Sequence, residues 1–159
     1  MAITYEPITT TTLGTATASV TFSSISGAYT DLVLVIAGSA SAGVSALIQY
    51  NSDTGSNYSF TGINGNGSSA SSFRVTSTSS IGLGEIYNYS CNLICQIQNY
   101  SNATTYKTNI SRANSASDYT QAIVGLWRNT AAITSITIAT SSGTFNTGST
   151  FTLYGIKSA

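Results

Sequence analysis

The chain has no histidine, one proline, one tryptophan and only ten charged side chains among 159 residues. A soluble domain usually carries charge at about a quarter of its positions. Each shortage excludes something. Without histidine there is no Ser-His or Cys-His dyad, no imidazole metal ligand and no switch near neutral pH. Five basic and five acidic residues cancel, so no basic excess attracts nucleic acid or an anionic membrane. The longest apolar run, residues 32–37, is six residues, far short of the roughly 20 that span a bilayer as a helix. The start, Met1-Ala-Ile-Thr-Tyr-Glu-Pro7, has neither the basic nor the apolar region of a secretory signal, so none is expected.

Cysteine is scarce too. Cys91 and Cys95 are separated by three residues. In one strand their Cα atoms would lie about 13 Å apart at about 3.3 Å per residue, whereas a disulfide needs less than about 7 Å. They are expected as small core residues of a protein made in a reducing compartment. With no other cysteine and no histidine, the pair offers too few ligands for a structural metal. No metal or cofactor is expected.

What is present is hydroxyl and β-prone. Serine (27) and threonine (25) fill a third of the positions, beside 16 Ile, 10 Tyr and five Phe. That aromatic and β-branched content argues against disorder, and the length suits one domain with a real core. The dominant pattern has period two. Across residues 87–98, Tyr87, Tyr89, Cys91, Leu93, Cys95 and Ile97 fall on one face, and Asn88, Ser90, Asn92, Ile94, Gln96 and Gln98 on the other. This predicts a long strand with one face buried. Further strands are predicted over 3–13, 18–23, 31–37, 44–50, 58–63, 73–76, 105–111, 119–128, 133–140 and 150–156, with a loop at 64–72. Pro7 demotes the first, leaving residues 1–13 as an edge strand or an N-terminal arm. No window has a helical period, and no linker divides the chain. The expectation is an all-β single domain over 1–159: an antiparallel β-sandwich of about ten strands, of jelly-roll or Greek-key type.

Candidate chemistry is thin. The carboxylates Glu6, Asp31, Asp53, Glu85 and Asp118 show no pairing of the kind a glycosidase needs, so no catalytic residue is assigned. Asn51-Ser-Asp-Thr-Gly-Ser-Asn57 alternates oxygen ligands like a calcium loop, but position 12 counted from Asn51 is Gly62, not an acid. An Asx-type turn is the better reading. The glycine-rich stretch 62–67 lacks the lysine and the following helix of a phosphate loop. Six N-x-S/T sequons, at Asn57, Asn66, Asn88, Asn99, Asn102 and Asn109, barely exceed what this composition gives by chance, so glycosylation is not implied. Most aromatics are expected to fill the core. Tyr29, Tyr58 and Tyr119, beside loops, and Trp127, at a strand end, are the candidates for interface or ligand contact.

The shortage of charge also bears on assembly. A free β-sandwich guards its edge strands with lysine, proline or bulges, and this chain has two lysines and one proline. Zero net charge removes the repulsion that keeps copies apart. Uncharged β-prone stretches such as 32–37 and 133–138 are hazards if exposed. Covering by neighbouring subunits solves the problem, and the Thr-rich segment 8–12 is a candidate for an arm reaching a neighbour.

An ordered set of short motifs carries a resemblance. It comprises Val20-Thr-Phe-Ser-Ser-Ile25, Tyr29-Thr-Asp-Leu-Val-Leu34, Tyr50-Asn-Ser-Asp-Thr-Gly-Ser-Asn-Tyr58, Tyr106-Lys-Thr108, Gly125-Leu-Trp127, Ala131-Ala-Ile-Thr-Ser-Ile136 and Gly148-Ser-Thr-Phe-Thr-Leu-Tyr-Gly-Ile156. In this order, over nearly the whole chain, it resembles a small β-sandwich family encoded among tailed-phage virion genes. Ser26 stands where that family often has proline, which loosens a turn, and loop charges common in the family are missing. The resemblance implies a non-enzymatic virion protein made in the host cytoplasm: a capsid decoration or cement subunit on the capsid surface. Its expected partners are the major capsid protein and copies of itself in a homotrimer, with no nucleic acid and no membrane. The alternative is a tail-associated carbohydrate- or receptor-binding module whose partner is a cell-surface glycan.

Overall fold

The computed structural model describes residues 5–115 and 119–157. The described residues form strands and turns, with no helix. In chain order the strands are β1 (Tyr5–Thr12), β2 (Ser19–Phe22), β3 (Asp31–Gly38), β4 (Val44–Tyr50), β5 (Tyr58–Gly65), β6 (Ala70–Thr78), β7 (Ile81–Ile86), β8 (Cys91–Gln98), β9 (Lys107–Ser115), β10 (Tyr119–Trp127), β11 (Ile136–Thr140) and β12 (Thr150–Ile156). They pair antiparallel into an eight-stranded sheet, β1-β12-β3-β8-β9-β10-β5-β6, and a four-stranded sheet, β2-β11-β4-β7. The interleaving of β1-β12-β3-β8 with β2-β11-β4-β7 is that of a jelly roll. The remaining four strands, β9-β10-β5-β6, prolong the larger sheet beyond β8. The expected all-β sandwich is therefore the fold, with twelve strands rather than about ten.

Period two explains the core. Leu32, Leu34 and Ile36 on β3 meet Leu93, Cys95 and Ile97 on β8 and Phe151 and Leu153 on β12. The opposing layer supplies Val20, Phe22, Ala46, Ile48, Tyr50, Ile136 and Ile138. All are buried. Burying each Val, Leu, Ile or Phe among them contributes about 1.5–3 kcal/mol, against the backbone entropy that every ordered residue loses. Cys91 and Cys95 are free and buried in β8, as strand spacing requires. Burial pushes the Cys95 thiol up to about 12, which leaves it unreactive.

Several boundaries differ from the sequence expectation. Residues 87–98 are not one strand: a turn at 87–90 separates β7 from β8, held where the Tyr87 N–H and the Tyr89 carbonyl meet the Cys91 sulfur. The strand expected at 73–76 is nine residues long, and most of the loop expected at 64–72 belongs to the β5–β6 hairpin. The strand expected at 105–111 runs from 107 to 115, and the one at 133–140 begins at Ile136. β7 was not expected, because Gly82 and Gly84 dilute its β-propensity. Residues 5–12 form an edge strand rather than a free arm.

Those two glycines explain how the layers meet. β7 packs over β9 and β10. A Cβ at Gly82 would come within 3.0 Å of the Phe60 ring, and one at Gly84 would overlap the Ala113 side chain. Gly84 also has φ +129, which L side chains rarely adopt.

The edges are guarded unequally. β1 has Pro7, a bulge between Pro7 and Thr9 and the Lys157–Glu6 ion pair at 2.8 Å. β2 has only four residues, and β7 carries a bulge. β6 is long and exposed along most of its length, and Arg74 is its one charge. Such an edge invites pairing with another chain.

Replacing Gly84 with alanine is expected to destabilise the protein by about 1–3 kcal/mol, from the backbone conformation and the overlap with Ala113. Urea denaturation followed by Trp127 emission measures it. An unchanged midpoint would mean that β7 does not approach β9 this closely.

Candidate functional site

Two of the four candidate contact residues are core. Tyr58 and Trp127 are completely buried and are corrected from surface contacts to internal supports. Their rings stack 6.2 Å apart, and Tyr50 lies 5.5 Å from Trp127. The motif from Asn51 to Tyr58 builds this cluster. Trp127 Nε1 donates to Asp53 Oδ2 at 2.7 Å. Asn57 Nδ2 donates to both Asp53 oxygens, and the Gly55 N–H to Oδ1. The Tyr58 hydroxyl takes the Tyr50 N–H at 3.1 Å and donates to the Asp53 carbonyl. Asn51, in the left-handed region with φ 52, accepts the N–H groups of Thr134 and Ser135 and donates to the Ala132 carbonyl. The loop is thus the expected Asx-type turn, and donors occupy the oxygens that a cation would need. Partial burial raises the Asp53 carboxyl, but hydrogen bonds from Trp127, Asn57 and Gly55 outweigh it and hold the group below its ordinary range.

Other scarce charges are likewise fasteners. Lys107 is buried, and its ammonium caps the carbonyls of Thr105 and Thr130 at 2.7 and 2.9 Å. Desolvation lowers its pKa. Arg128 holds Ser56 O, Tyr58 O and Ser59 Oγ. Asp31 accepts the Asn99 N–H. The described carboxylates are engaged separately, by Lys157, Asn99, Trp127 and Ser45; Asp118 lies outside the described residues. Tyr29 is half-buried: its ring packs on Gly155, below the Lys157 ammonium at 5.7 Å.

Two surfaces remain. The first is the outer face of the large sheet. The strand register sets Val35, Ile94, Arg112, Ala122 and Ile63 in one cross-strand row, and Val33, Gln96, Ile110, Val124 and Thr61 in the next. Ile63, Ile110 and Val124 are 63%, 42% and 54% exposed, large values for β-branched apolar residues. One shallow depression lies between these rows, beside Ile94, Ile110 and Arg112, and another lies beside Ile63 and Ala122 toward Thr120.

The second surface arises because eight strands face four. β7 is the last strand of the small sheet, so the inner face of β10-β5-β6 extends past it and leaves an open cleft of about 480 Å³. Phe60 and Phe73 meet edge to face on one wall, 6.2 Å apart. On another, Tyr119 stacks on Tyr87 at 6.4 Å, and Tyr87 stacks on Tyr89 at 5.3 Å, with planes 7° and 4° apart. The Tyr89 hydroxyl accepts from Ser115 Oγ. Polar groups converge between the walls. Glu85 Oε1 accepts from Ser45 Oγ at 2.5 Å. Gln121, 8% exposed, accepts the Glu85 N–H at 2.7 Å through Oε1. Asn64 Oδ1 accepts from Ser71 Oγ. Of the four candidates, Tyr119 alone lies in this cleft. Sequence reasoning missed Glu85, Gln121, Asn64 and Phe73. The signal that could have found them is the alternation of Tyr119, Gln121 and Ile123 within the strand expected at 119–128, which sets these cleft residues on a common face.

No family model matches the chain, and no curated protein matches it. Among solved structures, a sucrose-6-phosphate hydrolase from Lactobacillus gasseri aligns with TM-score 0.37 and 16% identity, over 90% of this chain and 29% of that one. The chain thus spans less than a third of that protein's length.

Because its carboxyl is held low in the fold, Asp53 stabilises the protein fully above its unfolded value near 3.8. That contribution is lost as pH falls through its lower native value. Acid titration is therefore expected to release Trp127 emission to the red only below about pH 4. Asp53→Ala, losing hydrogen bonds to a charged group, is expected to cost at least about 1.5–3 kcal/mol. Calorimetry checks the second expectation, and a Tm unchanged in Asp53→Ala would contradict the role given to this carboxylate.

Proposed function

We propose that this chain is a non-enzymatic virion structural protein of a tailed phage, a capsid decoration subunit that clamps neighbouring capsid subunits and copies of itself. The observation that supports this reading is the outer face of the large sheet. It is broad, weakly charged and set with exposed Ile63, Ile110 and Val124. Eight strands about 4.8 Å apart and about seven residues long give a face of roughly 38 by 23 Å. That is close to the roughly 800 Å² per partner of a stable interface. Since most described charges fasten the fold, the interface would be made of apolar, hydroxyl and backbone contacts rather than salt bridges. Binding the assembled shell and not its free parts stabilises the shell by mass action. The exposed β6 edge offers a further place for a neighbour, and a trimer is the assembly proposed for the free protein.

A second reading, a tail-associated module that binds cell-surface carbohydrate, is favoured by the aromatic-walled cleft beside Tyr119. It would leave the outer face without a partner.

Val124→Lys places an unpaired charge on the outer face, between Ile110 and Thr61. It is expected to keep the fold and to reduce binding to undecorated heads at least about tenfold. Sedimentation of heads with added protein measures this. Light scattering coupled to size exclusion is expected to find the wild type as an oligomer. A monodisperse monomer at high concentration, with Val124→Lys binding heads as well as wild type, would overturn the decoration reading.

A further inference from the structure

The cleft behind β7 has the chemistry of a small-ligand site. Its walls are aromatic, from Phe60, Phe73 and Tyr119, and Leu47, Val75 and Ile123 add apolar surface. The polar groups at its mouth have capacity left after their internal bonds. Gln121 spends Oε1 on the Glu85 N–H. Its Nε2 has no protein acceptor among the described residues and is reached by solvent rather than sealed in the core. Glu85 spends Oε1 on Ser45, leaving Oε2 to accept. Asn64 spends Oδ1 on Ser71, leaving its amide hydrogens to donate. A carboxylate acceptor flanked by two amide donors matches adjacent hydroxyls, each of which donates to the carboxylate and accepts from an amide. Flat aromatic faces suit the C–H faces of a sugar ring. Among the described residues no cation lines the cleft, and Glu85 repels anions, so phosphates and acidic sugars are disfavoured.

We propose that this cleft is a binding site for a neutral pyranose, such as the terminal residue of a surface glycan. Tyr119 and Phe73 are the stacking faces, Glu85 is the hydroxyl acceptor, and Gln121 and Asn64 are the donors. Tyr119 is held in place by the ring ladder through Tyr87 to Tyr89. Gln121 has two tasks, because the bond that fixes Glu85 also turns its own Nε2 to the ligand. The opening is made by the overhang of the larger sheet, so the site sits on rigid strands rather than on loops. This inference deepens the carbohydrate reading and is independent of the decoration reading, because the cleft and the outer face lie on opposite sides of β10 and β5.

The test is a ¹⁵N-HSQC titration of the full chain with methyl glucoside, methyl mannoside, methyl galactoside, glucosamine and sialic acid. At least one neutral methyl pyranoside is expected to bind near the millimolar range, about 1 mM, with shifts centred on the backbone amides of 82–86, 119–123 and 60–64. Tyr119→Ala and Glu85→Gln are each expected to weaken it at least tenfold while Trp127 emission, which reports the distant core, stays unchanged. Val124→Lys, on the other face, is expected to bind sugar like wild type. Binding of sialic acid or glucosamine alone would overturn the assignment to a neutral sugar. Absence of shifts with every sugar, or shifts that survive both cleft substitutions, would overturn the site.

Discussion

The structure depends on an inequality between its layers. Eight strands face four, so the small sheet covers only part of the larger one. Where it covers, from β12 through β3 and β8 to β9, the two inner faces close the core. Where it ends, at β7, the same inner face runs on and becomes a cleft. The two glycines of β7 set that boundary by letting it settle onto β9 and β10. One strand records the whole transition. On the inner face of β10, Trp127 at one end is sealed, and Tyr119 at the other is half-exposed.

The charges follow the same economy. Asp53 holds Trp127, Lys107 closes a turn from inside, Arg128 ties β10 to the 56–59 segment, and Glu6 pairs with Lys157. A carboxylate that accepts several N–H donors and an ammonium that caps two carbonyls stabilise by satisfying buried polar groups that would otherwise cost free energy. Little charge is left for the surface. The outer face is therefore suited to contacts without ionic pairing, and Glu85, which accepts from Ser45 and has no ion pair among the described residues, lies in the cleft.

Much of the fold was legible in the sequence, because alternation reports which side chains share a face. The β8 residues Cys91, Leu93, Cys95 and Ile97 are buried as their pattern requires. Alternation does not report what covers a face. That is why Tyr58 and Trp127 were open to being read as surface contacts: each lies at a strand end, where burial depends on the 51–57 loop folding back. The cleft was hidden for the complementary reason. Glu85 belongs to a strand masked by glycines, and Asn64 and Phe73 belong to a hairpin whose polar tip resembles a loop. These residues meet only because β5-β6 pairs with β10, a contact distant in sequence.

On the proposed decoration reading, the broad, weakly charged outer face is covered many times over on one particle. Copy number per virion, from quantitative mass spectrometry of purified particles containing this chain, tests it most directly. The account predicts hundreds of copies, as repeated coverage of a capsid lattice requires. A dozen copies or fewer would contradict it and leave the chain at the tail or neck, with the cleft as its working surface.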